Sequence, residues 1–185
     1  MCYVTNRRIG RGSFEKPQST DISTVEKWEA AASKTDSKGY GAAGYALWQN
    51  LTTLIPGITG HPIRYPVYTS YHCHRKCSRW AKIKQANFGN CNSENPGIID
   101  IVQELTSMSK KCPEQRYVLG GHSQGGLIQV RAIGLLPKEI LARILAVTMV
   151  QSPQCPGSVK DRCRSYCNKG DEVSSHHVCQ IHDRI

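Results

Sequence analysis

No apolar run in this chain approaches the roughly 18 residues that a membrane-spanning helix needs; residues 140–150 come nearest and are broken by Arg143. The N-terminus has no apolar leader, so no signal peptide is expected. No Cys/His spacing matches a standard zinc motif, and there is no internal repeat or low-complexity tract. No nucleic-acid-binding signature accompanies the basic residues. These absences set aside membrane-spanning, repeat and zinc-finger architectures. They leave a nucleic-acid role resting on charge alone.

What is present describes an ordinary globular protein with unusual cysteine content. The chain has 185 residues, 39% of them hydrophobic, and is read as one domain over 1–185. Its nine cysteines are too many for a reducing compartment without a metal pattern; they imply several disulfides and at least one odd thiol. The sequon Asn50-Leu51-Thr52 fits the same secreted, extracellular reading. The net charge of +10 is spread along the chain, as for a basic solvated surface. Such a surface could also be drawn to acidic polysaccharide or other anionic plant-surface material.

The organising stretch is Arg116-Tyr117-Val118-Leu119-Gly120-Gly121-His122-Ser123-Gln124-Gly125-Gly126. Residues 117–119 read as a short buried strand and 127–135 as a helix. Gly121-x-Ser123-x-Gly125 between them has the form of a nucleophile elbow, in which a serine sits on a sharp strand-to-helix turn. Glycine is needed on both flanks because a Cβ there would collide within the turn. The helix that follows aims its leading N–H groups at the place where negative charge would develop.

Around this stretch the chain alternates strands and helices, which predicts an α/β fold with helices on both faces of the sheet. Strands are expected at 2–9, 61–65, 144–150 and 165–167. Ser23 to Glu26 reads as a capping box opening a helix to about residue 34. Further helices are expected at 43–54, 95–110 and 137–142. Pro96 takes the first position of the 95–110 helix, and Ile98, Ile101, Val102, Leu105 and Met108 are spaced to face the sheet. His61 reads as a strand residue. In the stretch 68–95, Cys73, Cys77 and Cys91 are read as disulfide cysteines rather than zinc ligands with His72 and His74. Ser13 lies in a turn after the first strand. At that end of a parallel sheet it could face the nucleophile, or it could be a turn serine bonding its own backbone.

A serine hydroxyl needs a base to take its proton and an acid to orient that base, in the chain order Ser, acid, His. After Ser123 the acids are Glu139, Asp161, Asp171, Glu172 and Asp183, and the histidines are His176, His177 and His182. Asp171 follows a short strand and Gly170, in a turn suited to the acid.

At this point the sequence resembles the cutinases and the related acetylxylan esterases. Arg11-Gly12-Ser13 with Glu15 and Pro17 is similar to that family's R-G-[ST]-x-E-P segment, and Arg64-Tyr65-Pro66 to its N-Y-P turn. Cys112-Pro113 followed by residues 120–126 is similar to its C-P…G-G-Y-S-Q-G core, and residues 167–171 to its C-N-x-G-D acid turn. The resemblance implies a three-layer αβα sandwich with a mostly parallel sheet, a lidless α/β hydrolase. It implies Ser123 as nucleophile, Asp171 as acid and His182 as base, with His176 and His177 as alternatives for the base. It also implies an oxyanion hole from Ser13 and the N–H of Gln124, and disulfides Cys2–Cys112 and Cys167–Cys179, the latter displaced from the usual spacing. Cys155–Cys163 is a further expected pair. His122, where the family has Tyr, is expected to pack rather than to act as a second base.

The implied activity is serine carboxylic ester hydrolysis on cutin or a similar polyester, by a secreted monomer with no metal and no cofactor. An acetylxylan esterase is the alternative within the family. A catalytically silent secreted binding or effector protein on the same scaffold is the alternative outside it.

Overall fold

The computed structural model describes residues 5–12, 15–17, 24–65, 95–152, 155–168 and 180–181. The elements in order are β1 (Thr5–Gly10), α1 (Val25–Ser33), α2 (Ala42–Leu54), β2 (Thr59–Pro62), α3 (Pro96–Lys111), β3 (Arg116–His122), α4 (Gln124–Leu135), α5 (Lys138–Leu141), β4 (Ile144–Val150), a 3₁₀ segment (Gly157–Arg162), β5 (Cys163–Cys167) and β6 (Gln180–Ile181). The strands form one sheet in the order β2-β1-β3-β4-β5-β6. Every pairing is parallel. All strands therefore finish at the same edge, where an open α/β sheet carries its chemistry.

Alternation along β3 assigns the two faces. Tyr117 and Leu119 point into a core built with Ile98, Ile101 and Leu105 of α3 and Ile128, Ala132 and Ile133 of α4. Gly120 points the other way, and its missing side chain leaves room for Leu47 of α2. Ile9, in register with Gly120, shares that face and sits against Gly44 of α2. Helices thus cover both faces, giving three layers. Gln129, fully buried on α4, donates through Nε2 to the carbonyl oxygens of Arg8 (2.9 Å) and Gly120 (3.1 Å), pinning the helix to adjacent strands.

Helix starts follow local capping chemistry. The Asn95 side chain accepts from the N–H of Gly97 at 2.9 Å, with Pro96 at the first helical position. The cap of α1 is Thr24, whose Oγ1 accepts from Lys27 N at 3.2 Å, one residue later than the expected box.

Other boundaries also move. The second strand is Thr59–Pro62 rather than 61–65, because the carbonyls of Ile63 and Tyr65 are taken by the buried guanidinium of Arg11 and not by a neighbouring strand. The helix after Ser123 begins at Gln124, three residues earlier than expected. The strand expected at 165–167 begins at Cys163, and β6 follows as an unexpected edge strand. The first strand is described from Thr5.

Cys155 and Cys163 form the expected disulfide, with Cα atoms 5.9 Å apart. Cys112 and Cys167 are each disulfide-bonded. Their expected partners, Cys2 and Cys179, lie outside the described residues, as do Cys73, Cys77 and Cys91. No helix among the described residues is long and apolar enough to cross a membrane. Among them, no group of three or more His, Cys, Asp or Glu is arranged to hold a metal ion.

Candidate active site

Ser123 is the hinge between β3 and α4. Its backbone has φ 50° and ψ −114°, a conformation that residues with a side chain rarely adopt. The surroundings hold it there. Its N–H donates to the Val150 carbonyl at 2.9 Å, and its own carbonyl accepts from Gly126 (3.0 Å) and Leu127 (3.3 Å). The flanking glycines are needed for space. A Cβ on Gly121 would stand 2.5 Å from Gly126 Cα, and one on Gly125 would stand 2.3 Å from the carbonyl carbon of Gly10. The second contact shows the end of β1 lying directly against the first turn of α4. Gln124 is buried at the start of this helix. Its N–H belongs to the leading donors that an α-helix cannot satisfy internally.

After β1 the chain is fixed by Arg11, which has no exposed surface. Its guanidinium donates to the carbonyls of Pro17 (2.9 Å), Ile63 (3.1 Å), Glu15 (3.3 Å) and Tyr65. It also lies over the rings of Tyr65 (4.6 Å) and Trp28 (5.7 Å). Burial pushes the Arg11 pKa down from the ordinary guanidinium value. The Tyr65 hydroxyl donates back to the Arg11 carbonyl. A fixed donor fork in a buried site can gather several carbonyls at once, which a lysine could not do.

Glu15 completes the segment. Its carboxylate accepts from the N–H of Gly12 and, at 2.7 Å, from the N–H of Ala42. His122 Nδ1 stands 3.4 Å from Glu15 Oε2, and Nε2 stands 3.0 Å from Gln151 Oε1. Burial alone would raise the Glu15 pKa. The hydrogen bonds from His122, Gly12 and Ala42 and the charge of His122 outweigh it, and the net shift is downward. His122 is therefore not the packing residue expected; its ring bridges polar groups immediately before the serine. The sequence reading missed this network, since its members lie 107 and 29 residues apart and the motif marks none of them as a pair.

Of the expected site residues, Ser123 and Gln124 are described and adjacent at the elbow. Ser13, Asp171 and His182 lie outside the described residues, as do His176 and His177. The described residues nearest them in sequence are Gly12 beyond β1, Asn168 beyond β5 and Ile181 in β6. Those strands end at the same sheet edge as β3. A cleft of about 460 Å³ lined by Trp28, Tyr40, Trp48, His61, Arg64 and Glu104 includes neither Ser123 nor Gln124.

A serine in this backbone state, between a parallel strand and a helix in a three-layer sandwich, is the arrangement of the α/β hydrolases. The family model for cutinase matches residues 28–183. The chain belongs to the cutinase family. A stretch of 94 residues is 31% identical to the probable cutinase 3 of Neosartorya fischeri, covering 47% of this chain and 43% of that protein. A stretch of 73 residues is 33% identical to the cutinase of Botryotinia fuckeliana, covering 37% of this chain and 36% of that protein. The chain thus spans less than half the length of these curated relatives. Among solved structures, a cutinase-like protein from Cryptococcus sp. matches with a TM-score of 0.62 at 15% identity, over 96% of this chain and 82% of that one. An acetylxylan esterase matches with a TM-score of 0.61 at 17% identity, over 99% and 88%. At these identities the likeness is one of fold.

Proposed function

We propose that this chain is a secreted, single-domain serine carboxylic ester hydrolase acting through an acyl-enzyme on Ser123. The observation that carries this reading is the strained Ser123 backbone at the head of α4, in a chain of the cutinase family. His182 takes the hydroxyl proton as Ser123 Oγ attacks the ester carbonyl, and Asp171 orients the imidazole and stabilises its charged form. The developing oxyanion is held by Ser13 and by the N–H of Gln124, backed by the N-terminus of α4. His182 returns its proton to the departing alcohol. Water, activated by the same imidazole, then releases the acid and restores the serine. These steps need only side chains and water, with no metal or cofactor.

The substrate class is a short-to-medium acyl ester or a plant polyester such as cutin, handled by a monomer. Because acetylxylan esterases share the fold, an acetylated polysaccharide is the alternative substrate. Activity on p-nitrophenyl butyrate and polyester favours the first, and activity confined to acetate esters the second. Ser123→Ala should lower kcat by roughly 10⁴-fold or more while leaving the fold intact. Retained hydrolysis in that variant would end the assignment. A wild-type chain that reacts with no phosphonate serine probe would indicate a silent binding protein instead.

A further inference from the structure

We propose that Glu15 and His122 are a positioning pair that ties the end of β1 and the first turn of α2 to the nucleophile elbow. The pair acts on the reaction by holding His122, and with it the backbone at Ser123 and Gln124, in place, and in that respect rests on the assignment made above.

The Glu15 carboxylate joins three separate elements. One oxygen accepts from Gly12 N–H, closing the turn that begins at the end of β1, and the Glu15 N–H reaches back to the Gly12 carbonyl at 3.4 Å. The other oxygen accepts from Ala42 at 2.7 Å, in the first turn of α2. There the N-cap, Gly41, offers no side-chain cap of its own. The first oxygen also faces His122 Nδ1 at 3.4 Å, and His122 directly precedes Ser123. Two glycines leave space for this assembly. A Cβ on Gly12 would stand 2.5 Å from His122 Nδ1, and one on Gly41 would stand 2.1 Å from Glu15 Oε2.

Oxygens face both ring nitrogens, Glu15 Oε2 at Nδ1 (3.4 Å) and Gln151 Oε1 at Nε2 (3.0 Å), so the ring is held from both sides. Both nitrogens are thus committed within the network, so His122 acts as a strut and not as the base. Oxyanion donors work only within a few tenths of an ångström of their place, and a displacement of about 1 Å costs on the order of 100-fold in rate.

The test is steady-state kinetics on p-nitrophenyl butyrate. Each variant is normalised to its content of reactive serine by phosphonate titration run to completion. Glu15→Gln keeps one acceptor oxygen but turns an amide NH₂ toward the other N–H donor. It should lower kcat per titrated site roughly 10- to 100-fold with KM within about twofold. His122→Ala should behave alike. His122→Asn, which places an amide N–H near the position of Nδ1, should recover most of the loss. Unchanged kcat per titrated site in Glu15→Gln and His122→Ala would overturn the pair while leaving the hydrolase reading intact. So would a loss confined to the titratable fraction, or Asn no better than Ala. A wild-type chain that neither hydrolyses nor titrates overturns both.

Discussion

Two glycines on the same helix should respond to alanine with opposite signs. At Gly125 a Cβ would stand 2.3 Å from the Gly10 carbonyl carbon, 2.4 Å from its oxygen and 2.7 Å from the Arg11 oxygen. Carbon atoms in contact prefer about 3.5–4.0 Å. Relief therefore requires the first turn of α4 and the end of β1 to part by roughly an ångström. Both are backbone in the middle of a parallel sheet sandwich, with no flexible side chain to yield. Overpacking of this kind typically costs about 1–3 kcal/mol, and here the upper end is expected. At Gly134 nothing lies within 4 Å of the added carbon, and the position is exposed. Alanine there gains only helix propensity, about 0.5–1 kcal/mol, less near the helix end. Denaturant unfolding of the two variants should show Gly125→Ala with a midpoint well below wild type and Gly134→Ala at or above it. Esterase activity per folded molecule should fall in Gly125→Ala alone, since the same displacement turns the Gln124 N–H from the place proposed for the oxyanion. A Gly125→Ala protein as stable and active as wild type would refute the close approach of β1 and α4.

Other residues give independent checks. Arg11→Met keeps apolar contact with Trp28 and Tyr65 but strips donors from four carbonyls around a side chain with no exposed surface. At about 1–3 kcal/mol for each buried acceptor left bare, partly relieved by water, the loss should be roughly 3–5 kcal/mol by chemical denaturation. Asn95→Ala removes the α3 cap and should cost about 1 kcal/mol, read as a small drop in Tm. The Glu15 carboxyl titrates below the ordinary glutamate value of 4.5 in the folded protein. Its stabilisation is therefore fully present above that value and is lost as pH falls through the folded pKa. The Tm gap between wild type and Glu15→Gln should hold constant from neutral pH to about 5 and close in more acidic buffer.

Elements whose signal lies in their own residues were the legible ones. Ile144–Val150 is an apolar run interrupted only by Thr148 that reads as a strand, and Ile144, Val147 and Met149 are buried in it. Asn95-Pro96 marks the start of α3 by capping chemistry, and Ile98, Ile101 and Leu105 are buried as their spacing requires. The elbow was readable because its glycines and serine are adjacent. What escaped depends on distant partners. The second strand moved because Arg11, more than fifty residues upstream, takes the carbonyls that would have continued it. The start of α4 was misplaced because Gly125 and Gly126 look like turn residues until Gly10 is set against the first and Ser152 against the second. The role of His122 is invisible without Glu15 and Gln151 on either side of its ring. Of the site itself, Ser123 and Gln124 take the positions their motif implies.

The most direct measurement is mass-spectrometric mapping of the wild-type chain after reaction with a phosphonate ester probe. One adduct per chain, on the peptide carrying Ser123 and absent from Ser123→Ala, is the predicted result. An unlabelled chain, or a label on any other serine that survives in Ser123→Ala, would contradict the account.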